Sequence, residues 1–399
     1  MQRRQFLRNA GMTLAAASGA ALIGCVPAGT RRAGVAASGS QGPLVRLRPD
    51  VLELAPVRAE VDRITGVYVC TRPFRAAGPR IETERLGDKT LVHNYGHGGS
   101  GWSLSWGSSA LALQMAQATG VRELGVIGCG ALGLTSALLA QRAGLSVRIY
   151  AKQLPPDVLS MRATGLWTPD SRICDAAHAA AFGPRWETMA RTSFGMYQSL
   201  LGLPGRPIEW IDGYSLSDHR PAPEPDDEPA YGDLYGRIAD LTPDSVALPA
   251  GSHPFPPPYD VRRWTTMMFN ITTYARMLMG DFLAAGGRIE VREFHAPGDL
   301  LPLPERTLIN ATGYGARALF GDDSIVPVRG QTARLIPQPE VTYGLDMPGL
   351  LMVPRSDGLL VQVIGDSGNF DNADRTPVRA ASEAAVRRLG DLMAQMRSG

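Results

Sequence analysis

The hydrophobic pattern is clearest over residues 121–152, VRELGVIGCGALGLTSALLAQRAGLSVRIYAK. A short apolar run at 124–127 predicts a buried strand. Apolar residues then recur at helical spacing over 134–143, and Gly144 stops them. Residues 146–150, rich in β-branched and aromatic side chains, predict a second strand. Further along, 208–211, 245–248 and 307–311 read as strands and 272–285 as a helix ended by Gly286-Gly287. Proline and acidic residues dominate 221–233, and proline dominates 253–260, so both read as loops. Strands alternate with helices around a β-rich middle. That predicts a mixed α/β (α+β) chain, with a nucleotide-binding domain interleaved with an antiparallel-sheet substrate domain.

One stretch breaks the pattern. HNYGHGGSGWSLSWG, residues 93–107, holds five glycines and two histidines and reads as a loop that lets backbone approach something closely. A helix is expected after it, over 110–118. The N-terminus differs again: MQRRQFLRNAGMTLAAASGAALIGC has a basic start and an apolar stretch too short to span a membrane. Arg3 and Arg4 suit a twin-arginine export signal or the basic start of an ordinary one. Leu22-Ile23-Gly24-Cys25 resembles a lipobox, which would make Cys25 an acylated N-terminus; a coincidental cysteine is the alternative. Residues 26–45 read as a flexible tether.

Composition narrows the class. The 399 residues are 44% hydrophobic with a formal net charge of +2. That is enough chain for a large core, and nothing in the charge points to a nucleic acid or an acidic polymer. The four cysteines (Cys25, Cys70, Cys129, Cys174) show no metal-ligand spacing, so no metal site is expected.

Gly128, Gly130 and Gly133 form G-x-G-x-x-G between the predicted strand and helix. In that setting the first glycine makes the turn, the second admits a pyrophosphate, and the third packs helix on strand. An acid is expected at the end of the next strand for the ribose. Ala151 and Lys152 stand there instead, and Lys152 either reaches a phosphate or faces water.

Several segments together resemble the D-amino-acid oxidase and D-aspartate oxidase family, flavoproteins that use FAD. These are HNYGHGGSGWSLSWGSS, TRPFRAAGPRIE (71–82), GVIGCGALGL, ATGLWTP (163–169), INATGYGARAL (309–319) and VRGQ (328–331). The resemblance implies a Rossmann-like FAD-binding domain. It places Gly128, Cys129, Gly130, Gly133, Lys152, Ser160, Thr164, Gly165, Leu166, Gly98, Gly101, Trp102 and Ser103 at the cofactor, the last two donating from backbone or side chain. It makes Arg72 the clamp for a substrate carboxylate and the Gly99 carbonyl the acceptor for the substrate amine. His93 and His97 read as supports of the loop, not as catalysts.

Two departures stand out. The family opens on its FAD fingerprint and closes on the HNYGHGG segment, whereas here HNYGHGG comes first. The chain therefore reads as a circular permutation, with family order about 121–399 followed by about 46–120. Leu351 and Met352, in GLLMVP (349–354), stand where the family carries a tyrosine; Tyr343 is the candidate substitute. The implied reaction is oxidation of a D-amino acid by oxygen to a keto acid, ammonia and hydrogen peroxide. The alternatives are oxidation of another amine or imino acid, a flavin-binding lipoprotein without turnover, and, from G-x-G-x-x-G alone, an NAD-dependent dehydrogenase. The expected location is outside the cytoplasm, held to a membrane only through a lipid anchor. No oligomeric state is implied.

Overall fold

The structure, a computed structural model, describes residues 52–219, 228–365 and 367–396, all within the unit formed by 49–399. The expected export segment (1–25), the tether (26–45) and most of the proline-rich stretch 221–233 lie outside the described residues.

Two sheets organise the described residues. The first has six strands in the order β2 (Arg80–Leu86), β3 (Lys89–Tyr95), β10 (Thr307–Asn310), β4 (Glu123–Ile127), β5 (Ser146–Ala151) and β9 (Arg288–Val291). β3, β10, β4, β5 and β9 run parallel, with β2 antiparallel on the edge. Every residue of β10 is buried, as are Leu124, Val126 and Ile127 of β4. Strands covered on both faces need such near-continuous apolar runs.

The second sheet has eight strands: β1 (Ile64–Phe74), β11 (Val326–Leu335), β14 (Gly358–Val363), β13 (Leu350–Arg355), β12 (Gly344–Met347), β6 (Ile208–Ser217), β8 (Asp260–Phe269) and β7 (Val246–Leu248). Its pairings are antiparallel except β12 with β6. The mixed α/β class expected from the sequence is the one found.

Six α-helices complete the described fold: α1 (Gly101–Gln117), α2 (Ala131–Arg142), α3 (Ala179–Gln198), α4 (Ile271–Ala284), α5 (Gly315–Phe320) and α6 (Arg379–Gln395). α1 packs on α2 and α3, and α4 on α2, around one large core. Leu389, Leu392 and Met393 of α6 join a second core with Leu335, Leu345 and Val361. The first described segment runs beside α6. The Val57 N–H points at Met393 Sδ at 3.1 Å, and the Tyr343 hydroxyl donates to the Ala55 carbonyl at 2.9 Å.

The stretch 93–107 is not the loop its glycines suggest. His93, Asn94 and Tyr95 belong to β3 and are buried. The helix expected from 110 starts at Gly101, leaving 96–100 as the turn. Trp106 is fully buried, its Nε1 donating to the Tyr274 hydroxyl at 2.7 Å. The reason is packing distance. A Cβ at Gly107 would stand 2.5 Å from the Met189 Cα, so only glycine lets α1 and α3 meet there. Small residues in this helix serve close approach, and their hydroxyls find buried partners. Ser105 meets the Tyr197 hydroxyl at 3.1 Å, and Ser109 meets Thr135 Oγ1 at 2.9 Å. Elsewhere the boundaries shift little, except that β6 continues to Ser217, well beyond the expected 208–211.

Candidate active site

A cavity of about 590 Å³ opens outside the carboxyl ends of the parallel strands, where ligands bind in open α/β sheets. Gly96, Gly128, Lys152, Arg292 and Ala311, which follow β3, β4, β5, β9 and β10, all line it. β1, β13 and β14 supply the opposite wall through Arg72, Leu351 and Gln362. Every site residue expected from the sequence lines this cavity except Gly133. Gly133 sits behind it, in the first turn of α2 against the Gly128 carbonyl.

The turn at 96–100 is held by backbone. The Gly98 N–H donates to the Pro73 carbonyl and the Gly99 N–H to the Ser171 carbonyl, both at 2.9 Å. Ser100 Oγ donates to the carbonyls of Thr168 (3.1 Å) and Ser171 (3.0 Å). Gly98 has φ of 51°, and a Cβ there would lie 1.8 Å from the Arg172 carbonyl oxygen. No side chain fits, which is what the glycine run is for.

α1 and α2 both start at the cavity. Neither start has a side-chain cap: Ser100 and Gly130 stand at the cap positions without one. The first intrahelical bonds there run from Leu104 N to Ser100 O and from Leu134 N to Gly130 O. The amides of 101–103 and 131–133 therefore have no acceptor within their helices. Both starts carry the positive end of a helix dipole. Ser160 Oγ, beside Gly130, is buried without a protein hydrogen-bond partner. The side-chain donors of Trp102 and Ser103 are already engaged. Trp102 Nε1 donates to the Ser160 carbonyl at 2.7 Å, and Ser103 Oγ donates to the Leu166 carbonyl at 3.5 Å while accepting from the Thr168 N–H at 2.9 Å. What these two residues have left to offer is backbone N–H. Uncapped amides, an orphaned hydroxyl and a glycine turn together fit a dinucleotide pyrophosphate.

Arg72 lies on β1 with Nη1 donating to the Arg329 carbonyl at 2.9 Å and its guanidinium against Gly330. Among the described residues no carboxylate pairs with it, so its remaining N–H groups are available. Thr164 Oγ1 donates to Gln362 Oε1 beside it in the cavity wall. Leu351 lines the cavity and Met352 is buried in the second core. Tyr343 does not replace the missing tyrosine: it is buried in that same core, turned to Ala55. Lys152 forms an ion pair with Glu293 at 3.3 Å. Arg162, Gln362 and Glu293 also line the cavity, and no motif in the sequence announced them.

The two histidines are engaged structurally. His93 Nδ1 meets the Asn310 amide at 3.1 Å and its Nε2 meets Glu84 at 3.0 Å. His97 Nε2 lies 2.7 Å from Ser108 Oγ, and Ser108 donates its one proton to Asn94 Oδ1 at 2.5 Å. His97 Nε2 must then carry the shared proton, leaving Nδ1 as a buried acceptor without a protein partner. Burial, aided by the Arg185 charge, holds the His97 pKa down to about 3. Burial also pushes the Cys129 thiol up to about 12, which leaves it inert as a nucleophile.

Residues 123–398 match the family model described as DAO, FAD dependent oxidoreductase. The D-amino-acid oxidase of Streptomyces coelicolor is 28% identical over 289 residues, spanning 68% of this chain and 77% of that relative. The D-amino-acid oxidase of Rubrobacter xylanophilus is 26% identical over 276 residues, with the same shares. Among solved structures, glycine oxidase from Geobacillus kaustophilus is 13% identical with a TM-score of 0.48, over 70% of this chain and 81% of that one.

The buried His97 sets a pH dependence. Its folded pKa lies below the ordinary 6.5, so on acidification the unfolded chain takes up a proton that the folded chain refuses. Stability is retained above pH 6.5 and falls as the pH drops from there toward about 3. Between pH 6.5 and 5 the expected loss is about 2 kcal/mol. Denaturant titrations of the wild type and His97→Gln at both pH values check this. Equal pH slopes in the two proteins would contradict it.

Proposed function

We propose that this chain, which belongs to the DAO family of FAD-dependent oxidoreductases, oxidises D-amino acids, with oxygen as the final acceptor. The products are hydrogen peroxide and an imine that hydrolyses to a keto acid and ammonia. When bound, FAD supplies the two-electron acceptor for the substrate Cα–H. The chain's own residues hold, orient and shield. The 128–130 turn, the uncapped amides of α1 and α2, and Ser160 Oγ would hold the cofactor's phosphates. Residues 164–166 and the 96–100 turn would lie along its ring system.

Arg72 carries the reading. An unpaired guanidinium in the cavity offers a forked partner for an α-carboxylate and fixes which way the amino acid faces. The Gly99 carbonyl would accept an N–H from the substrate amine, orienting it once the amine is neutral. His97 is held neutral and donates to Ser108, so it supports the loop and moves no substrate proton. Leu351 leaves an apolar wall where the family's tyrosine would bring a hydroxyl.

A second reading rests on Arg162. This residue lines the same cavity, bonds the Val69 carbonyl at 2.8 Å, and has no carboxylate partner among the described residues. A second cation near Arg72 favours amines bearing two carboxylates.

The proposal extends to location and chain order. The RRQFL start and the LIGC segment support export and acylation at Cys25. Release of peroxide outside the cytoplasm agrees with that. A permuted order is supported by the contact between Val57 and Met393, which brings the two ends of the described chain together. It is also supported by a family match that begins at 123 and leaves 46–120 outside. Permutation asks for this proximity of ends.

The purified holoprotein, titrated anaerobically with D- and L-amino acids and dicarboxylic amines, tests the reaction. D-Amino acids alone are expected to bleach the flavin band; bleaching by L-amino acids or by none removes the reading, and bleaching by dicarboxylic amines alone transfers it to the second. Arg72→Ala should keep its flavin and lose on the order of 100-fold or more in kcat/KM; an unchanged value would show that Arg72 is no clamp. Cys25→Ser should move the protein from the membrane to the soluble fraction, and a variant that stays with the membrane refutes the anchor. A gene reordered as 121–399 followed by 46–120, joined by a short linker, should fold and take up FAD. If it yields only insoluble chain while the native order does not, the permuted reading fails.

A further inference from the structure

The cavity is lined by many cations and, among the described residues, by a single carboxylate, Glu293. Arg72, Lys152, Arg162, Arg172, Arg292 and Arg375 all border it. Glu293 therefore stands out by its sign, and its position is specific. In a dinucleotide fold the acid that accepts the ribose hydroxyls ends the strand after the glycine turn, roughly 20 residues on. Here that strand is β5, which ends at Ala151 and is followed by Lys152. The neighbouring strand β9 runs parallel to β5, with Ala151 opposite Val291. The pairing continues one step further, the Arg292 N–H donating to the Ala151 carbonyl at 3.0 Å. Glu293 is thus brought to the same sheet edge as Lys152, and the two side chains meet at 3.3 Å. Their side chains are 61% and 50% exposed, so the pair does little for folding. What it does is fix a carboxylate at the cavity rim.

We infer that Glu293 is the acceptor for the adenosine ribose hydroxyls of FAD, supplied from β9 in place of the acid missing from β5, with Lys152 as its positioning residue. The acid at this edge thus follows the strand next to the one that usually carries it. An anionic acceptor is needed because two hydroxyls on one sugar donate to it, and a carboxylate takes both. Lys152 alone cannot do this, since an ammonium group only donates. The inference rests on FAD occupying this cavity.

The test is the affinity of the full-length apoprotein for FAD and for its 2′,3′-dideoxyadenosine analogue, followed by flavin fluorescence. The wild type is expected to bind FAD on the order of 10-fold more tightly than the analogue. Glu293→Gln should bind FAD on the order of 10-fold more weakly than the wild type and no longer distinguish the two ligands. The double variant Lys152→Glu with Glu293→Lys, which returns the acid to β5, should regain most of that affinity and the discrimination. Wild-type affinity in Glu293→Gln overturns the inference. So does a weakened variant that still prefers FAD over the analogue, because the loss is then structural. A wild type that binds neither ligand removes the FAD reading itself and is told apart from both.

Discussion

Two helices begin at one cavity, and the rest of the site depends on that. The dipoles of α1 and α2 add there, and both starts leave backbone amides uncapped. Bringing two positive helix ends together is unfavourable without an anion between them. The fold enforces the meeting through the sheet, because β3 and β4, which feed the two helices, flank β10 in parallel. Each strand delivers its helix from the same edge. The 96–100 turn must therefore be short and side-chain-free, and Gly98, pressed on the Arg172 carbonyl, meets that demand.

Behind the cavity the fold stays polar where a core is normally apolar. Asn94 Nδ2 donates to Ser136 at 3.4 Å, Ser136 to Ser109 at 2.9 Å, and Ser109 meets Thr135 at 2.9 Å. Such a chain is costly if any link is left open and rigid when all are made. It ties β3, α1 and α2 to one another, so the amides at the two helix starts keep a fixed spacing. His97 enters the same chain through Ser108, which is why it must remain neutral and why its burial is tolerated.

The sequence was most legible where period and turn chemistry agree. The β4–α2–β5 unit lies close to where the apolar spacing and the three glycines put it. Legibility failed at α1 for a physical reason. Serine and glycine lower helix propensity, so GWSLSWGSS reads as a loop, yet tight contact between α1 and α3 requires those small residues. Tyr343 misled for another reason: distance along the chain says nothing about which core a loop residue joins, and it packs with α6. Arg162 and Gln362 were invisible because no local pattern distinguishes a cavity residue from an exposed one. They reach the site only through strand pairing and through contacts such as Arg162 with Val69.

Charge explains how one cavity can serve two unlike ends of a ligand set. Among the charged groups of the lining cations outnumber the one carboxylate, which suits phosphates beside the helix starts and a carboxylate at Arg72. A uniformly positive cavity would hold anions without regard to orientation. A single carboxylate at one rim breaks that symmetry, since it repels phosphate and accepts hydroxyl protons. It also lies at the carboxyl end of β9 in the six-stranded sheet, whereas Arg72 stands on β1 of the eight-stranded sheet. Polarity along the cavity thus follows from which strand ends carry which sign. Moving the acid from β5 to its parallel neighbour preserves that polarity, because the two strands end side by side.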